Sequence, residues 1–120
     1  MFDINEYLSA PCVDESFVVA RGTEEFRLRR LNGAERLKFN DLTTRFDRIL
    51  FALARGALTP EGRPIGEEAA GKLLARSGAL GEALFEDIFD ATQQGLDAER
   101  EIWRDVKKKS PSEGSTTARD

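Results

Sequence analysis

Phe39-Asn40-Asp41-Leu42-Thr43-Thr44-Arg45-Phe46-Asp47-Arg48-Ile49-Leu50-Phe51-Ala52-Leu53 carries the clearest periodic signal in the chain. Phe39, Leu42, Phe46, Ile49 and Leu53 recur at alternating steps of three and four, the spacing of one stripe of an α-helix. Such a stripe predicts a helix that turns these side chains into a core. Asp41 and Arg45 stand four apart with the acid first, the better orientation for a helical ion pair. Asn32, with Glu35 three residues later, has the spacing of a capping box. Gly56 sits where a left-handed glycine ends many helices. The predicted helix runs from about Gly33 to Arg55.

On the N-terminal side, Ser16 to Ala20 is rich in β-branched and aromatic residues (Phe17, Val18, Val19). Phe26 to Leu31 alternates, with Phe26 and Leu28 on one face and Arg27 and Arg29 on the other. The intervening Arg21-Gly22-Thr23-Glu24 reads as a turn, so the pair predicts a β-hairpin. Asp3 and Glu6 also have capping-box spacing, which predicts a short helix from about Ile4 to Leu8 that ends before Pro11.

On the C-terminal side, Leu58-Thr59-Pro60-Glu61-Gly62-Arg63-Pro64 is a turn-rich connector. Glu67 to Ser77 follows as a helix with its acids first and Lys72 and Arg76 later, matching the helix dipole; Gly78 is expected to stop it. A final helical stretch begins near Gly81. Leu84, Ile88, Ala91, Ala98, Ile102 and Val106 can share one seam along it, and Gly95 is expected to kink or split it, with Asp97 capping the second piece. The fold class is therefore α+β, mostly α: an N-terminal β-hairpin packed on three to four helices. Residues 1–109 are expected to form one domain, and 110–120 a flexible hydrophilic tail without a large apolar residue.

At 120 residues and 40% hydrophobic composition, the chain can build its own core without staples. Its net charge is −4 and its pI about 5.0, which argues against a general nucleic-acid or membrane-surface binder. Histidine is absent, which removes the commonest proton shuttle and metal ligand. The single cysteine, Cys12, permits no internal disulfide and no cysteine-based zinc site. An acidic start and no long apolar run argue against a secretion signal or a membrane span. A cytosolic protein with no cofactor, no metal and no enzymatic activity is expected.

Candidate sites reduce to surfaces. Glu82, Glu86 and Asp90 line one helical face, and the bland reading, a solvated stripe, outweighs a catalytic or Ca²⁺-binding one. Arg27, Arg29, Arg30, Arg36, Arg45 and Arg48 make the hairpin and first long helix locally basic. The nearby Phe26, Phe39 and Phe46 fall on the apolar stripe rather than beside the cations, so a core role outweighs base stacking. Arg27 and Arg29 stay as candidate contacts for an acidic protein segment. Phe89 is assigned to the core. Trp103 sits among Arg100, Glu101, Arg104 and Asp105; with Ile102 and Val106 it is the candidate partner-binding stripe, because large aromatics near a chain end commonly anchor interfaces.

Phe26-Arg27-Leu28-Arg29-Arg30-Leu31-Asn32-Gly33-Ala34-Glu35-Arg36 resembles the opening of the tail assembly chaperones of long-tailed bacteriophages: a basic strand ending in Leu, a small polar turn, then an Ala/Glu/Arg helix start. Leu58-Thr59-Pro60-Glu61-Gly62-Arg63-Pro64-Ile65 is similar to that family's connector before a Glu-rich helix start, here Glu67-Glu68. The closing amphipathic helix and lysine-bearing end are similar too, although Lys107-Lys108-Lys109 stands where a Lys-Asn ending is expected. The likeness extends over about Phe17 to Lys109. It implies a non-enzymatic protein of the host cytoplasm, absent from the mature virion, that binds the tape measure protein. It further implies recruitment of major tail protein through a longer frameshifted product, of which this chain is the short form, with the Lys107–Lys109 codons as the slip candidate. Self-association is left open. A structural head–tail connector or minor tail component, and a small bacterial regulator or adaptor, are the alternatives.

Overall fold

The computed structural model describes residues 1–10 and 16–104. The predicted tail, Val106 and Lys107–Lys109 lie outside them. Among the described residues the order is α1 (Ile4–Ser9), β1 (Ser16–Arg21), β2 (Glu24–Arg29), α2 (Gly33–Asp41), α3 (Arg45–Gly56), β3 (Ala57–Leu58), α4 (Gly66–Arg76) and α5 (Gly78–Ile102). The class is α+β and mostly α, as expected.

The hairpin closes through a two-residue loop. Arg21 pairs with Glu24, and Gly22 has φ 65°, the left-handed conformation that a tight hairpin turn needs at its first position. The register sets Phe17 opposite Leu28 and Val19 opposite Phe26, so all four pack toward the core. A third strand was not expected. Ala57 and Leu58 leave α3 and pair antiparallel with Leu28 and Arg27, giving the order β1-β2-β3. The connector then folds back on β3: Thr59 N–H donates to the Arg63 carbonyl at 2.7 Å, and Leu58 bridges Pro64.

The long helix expected over Gly33 to Arg55 is two helices. α2 starts as predicted: the Asn32 side chain accepts from Glu35 N–H at 2.8 Å, and Glu35 Oε1 accepts from Asn32 N–H at 3.0 Å. It ends at Leu42, whose backbone is extended. Thr44 then caps α3, accepting from Asp47 N–H at 3.1 Å. A short β-branched residue that can cap competes with helix continuation, and here it wins. Asp41 and Arg45 consequently fall in different helices, and Arg45 instead approaches Glu82 at 3.7 Å.

The break shifts the phase of the stripe. Phe39, Ile49 and Leu53 are buried and Leu42 is half-buried, but Phe46, in the first turn of α3, is 59% exposed. α3 is the central element. It packs on α4 and α5 and contributes Ile49, Phe51, Ala52, Leu53 and Ala54 to the core, alongside Leu28, Leu31, Ala70, Leu84 and Ile88.

Three glycine expectations change. Gly56 is the last residue of α3 and lacks a positive φ; a Cβ there would lie 2.7 Å from Ile88 Cδ1 and 3.0 Å from the Arg29 carbonyl oxygen. Its role is close packing, not left-handed capping. Gly78 does not stop a helix but opens α5, with the Ser77 hydroxyl accepting from Leu80 N–H at 3.3 Å. Gly95 neither kinks nor splits α5, which runs unbroken from Gly78 to Ile102, so Asp97 caps nothing. A side chain at 95 would instead collide with Arg30, which lies across it.

One buried polar group ties the layers together. Thr92 Oγ1 accepts from Leu31 N–H at 2.9 Å and donates to the Ile88 carbonyl at 2.7 Å. The residue that links β2 to α2 is thereby fixed to α5.

The phase shift separates two substitutions that the periodicity alone would treat alike. Leu53→Ala is expected to destabilise the fold by about 2–5 kcal/mol, the range for a buried large-to-small change. Phe46→Ala should stay within about 0.5 kcal/mol, as at other surface positions. Urea unfolding of the two variants checks this; equal losses would contradict the division of the helix.

Candidate interaction surfaces

Of the expected partner residues, Arg27 and Arg29 are fastened within the chain. Arg29 reaches Glu35 with two nitrogens, at 2.9 and 2.7 Å, and the Arg30 carbonyl at 2.9 Å. Arg27 donates to Ser16 Oγ at 3.2 Å and to the Pro60 carbonyl at 3.4 Å. These bonds tie β2 to the start of α2, to β1 and to the connector. Arg21 and Asp87 join the hairpin end to α5 at 3.1 and 2.6 Å, and Arg30 reaches Glu99 at 2.8 Å. The basic stretch is therefore largely a set of fasteners.

Glu35 has an unusual environment. Burial pushes its carboxyl up, but the Arg29 hydrogen bond, the Asn32 backbone N–H and the charges of Arg29 and Arg55 outweigh that and hold it below the ordinary value.

Ile102 and Trp103 are at the surface, 71% and 59% exposed. The buried seam of α5 ends near Thr92; Ala98 and Ile102 lie beyond it, in solvent. Trp103 is not isolated. Phe2 lies 5.6 Å from it and Tyr7 6.1 Å, both edge-on, with Phe2 and Tyr7 5.5 Å apart. Helix α1 is held by the Asp3 side chain, which accepts from Asn5 and Glu6 N–H groups, and none of its residues is buried. Ile4 and Leu8, one turn apart, are exposed with Phe2 and Tyr7. The result is an apolar end surface of Phe2, Ile4, Tyr7, Leu8, Ile102 and Trp103. The α1 half went unassigned in the sequence reading, although Ile4 and Leu8 have the spacing of one helical face.

A second apolar surface lies where α2, α3 and α5 meet. Phe39, Phe85 and Phe89 form a three-ring cluster with centroids 6.0–6.1 Å apart. Phe89, expected in the core, is 43% exposed, because it stands on the rim of this cluster. The rings line a cleft of about 480 Å³ with Thr43, Arg45 and Arg48. Arg48 lies 5.7 Å from the Phe39 ring centre and donates to the Leu42 carbonyl at 2.8 Å. Sequence spacing relates Phe85 to Phe89, but Phe39 joins them only through the tertiary fold.

Among the described residues, no group of three or more His, Cys, Asp or Glu side chains could hold a metal ion, and no helix is long and apolar enough to cross a membrane. Glu82, Glu86 and Asp90 are exposed. Comparison with protein-family models, with characterised proteins and with solved structures finds no match.

The Glu35 cluster makes a testable statement about pH. Its folded pKa is depressed, so the stability it contributes is present above the unfolded value near ~4.3 and lost as pH falls through that value toward the folded one. Glu35→Gln, which preserves capping ability, should be less stable at pH 7 and show a shallower loss on acidification over that window. An unchanged profile of unfolding free energy against pH would show that the Arg29 contact does not hold Glu35 ionised.

Proposed function

We propose that this protein is a tail assembly chaperone of a long-tailed bacteriophage: a non-enzymatic carrier that binds the tape measure protein in the host cytoplasm and is absent from the finished virion. The reading joins the sequence resemblance to one structural observation, the apolar end surface of Phe2, Ile4, Tyr7, Leu8, Ile102 and Trp103. Clustered exposed apolar side chains rimmed by charge mark interaction surfaces. Two helical segments meeting around a tryptophan suit an amphipathic partner helix, whose apolar side chains insert at a few anchor points. The chain's acidity keeps the resulting complex soluble.

In this role the protein shields the apolar faces of a long helical client until the tail tube encloses it. Recruitment of major tail protein belongs to a longer frameshifted form, whose additional domain follows the Lys107–Lys109 run.

Trp103 is the expected hot spot, since its ring touches Phe2 and Tyr7 and remains exposed. Trp103→Ala should weaken client binding about 10–100-fold. It should leave the melting temperature within a few degrees of the parent, roughly the shift that a surface change of under 0.5 kcal/mol produces. Co-expression with the tape measure protein, read as soluble client, tests this. Unchanged client solubility and affinity in Trp103→Ala and in Ile4→Asp/Leu8→Asp would remove this surface from the role.

A further inference from the structure

The sheet has one covered edge and one bare one. On the β3 side the connector closes it: Leu58 bridges Pro64, and Ile65 N–H donates to the Ala57 carbonyl at 3.0 Å. On the β1 side no strand follows among the described residues. The phase of the ladder tells which groups are left there. Arg21 and Glu24 flank the two-residue loop and so exchange hydrogen bonds, as do Val19 with Phe26 and Phe17 with Leu28, every second pair along the register. Val18 and Ala20 therefore turn their N–H and C=O groups outward, and both residues are exposed. Sheet proteins usually blunt such an edge with proline, lysine or a bulge. Strand β1 holds no proline and no lysine, carries a charge only at its last residue, Arg21, and pairs with β2 without interruption.

Beside this edge, between β1 and α5, lies a groove of about 490 Å³. Phe17 and Val19 of β1 and Ala91 and Gly95 of α5 give it an apolar lining. The cations near it are neutralised, Arg21 by Asp87 at 2.6 Å and Arg30 by Glu99 at 2.8 Å. Asp90, also in the lining, meets no cation among the described residues, and Glu86 stands one turn before it on α5. The uncompensated charge at the groove is therefore negative.

We propose that the β1 edge is a docking site for an extended, basic segment of another protein, which adds to the sheet as a further strand. Outward main-chain groups at strand spacing are matched by an extended backbone and not by a helix, whose own groups are already bonded. Alternate side chains of the incoming strand project over the groove. There the aliphatic stem of a lysine or arginine lies on Phe17 and Val19 while its charge meets Asp90 and Glu86. The other face of the strand packs beside Val18, which is 61% exposed. A second copy of β1 is a poor occupant, because it brings its own Glu86 and Asp90 to the same side of the joined sheet, acid against acid. This surface shares no residue with the client-binding end, and its occupant is extended where the client is helical, so either reading can fail alone.

The test uses the full chain and a short capped peptide of alternating lysine and valine. Titration followed by amide NMR is expected to show binding with a Kd below about 1 mM, and the Val18 and Ala20 amides should gain protection from exchange. The matching glutamate–valine peptide should not bind. Val18→Pro removes one outward N–H, leaves the β1–β2 ladder intact and should abolish binding. Glu86→Lys combined with Asp90→Lys, at exposed positions, should weaken binding at least about tenfold with unchanged circular dichroism. This second variant keeps the test decisive if the proline variant does not fold. No binding, binding without protection of Val18 and Ala20, equal binding of the glutamate peptide, or edge amides already protected in the free chain would each overturn the proposal.

Discussion

The fold hangs on the absence of a side chain at Gly56. There the last turn of α3 presses against Ile88 of α5 and against the Arg29 carbonyl of β2, at distances a Cβ could not occupy. The close approach lets Ala57 and Leu58 pass directly from helix into the sheet beside Leu28 and Arg27. It also brings α5 near enough for Thr92 to receive the Leu31 N–H, a donor that would otherwise be buried without a partner. Sheet, central helix and long helix are thus locked at one corner, and the buried residues cluster around it. What extends away from the corner, namely α1, the last turns of α5 and the rim of the aromatic cleft, is left out of the core and carries the exposed apolar surface.

Local signals in the sequence were legible where the chemistry is local. The Asn32–Glu35 capping box, the Gly22 turn and the alternating Phe26 and Leu28 locate the start of α2 and the hairpin within a residue or two. The α+β class follows from them. The division between α2 and α3 was hidden because the stripe from Phe39 to Leu53 keeps perfect spacing across it; only the capping preference of Thr44 reveals the break, and Phe46 is displaced to the surface as a result. β3 was hidden because two residues are too short for any periodicity, and they become a strand only when β2 offers an edge. Gly56 and Gly95 were misread for a related reason. Each makes room for a side chain distant in sequence, Ile88 and Arg30, and no spacing rule carries that information.

The surfaces show the same pattern. Trp103 and Ile102 could be singled out from their charged neighbours, and they are exposed. Arg27 and Arg29 looked equally available, yet their guanidiniums are turned inward on Ser16, Pro60, Arg30 and Glu35. A basic run in sequence is a candidate contact only until tertiary partners claim it. The aromatic cleft needed α2, α3 and α5 in place before it existed at all. The buried residues gather at one corner, and helices hold other apolar side chains out to solvent, where the proposed helical client would meet them.

Hydrogen exchange on the soluble complex with the tape measure protein, compared with the free chain, tests that account most directly. Free α1 has only exposed backbone hydrogen bonds and should exchange rapidly. The account predicts strong new protection over residues 4–9 and over 99–103, with the already slow core of α3 unchanged. Protection confined to the β1–β2 hairpin, or no change at the α1–Trp103 end, would contradict it.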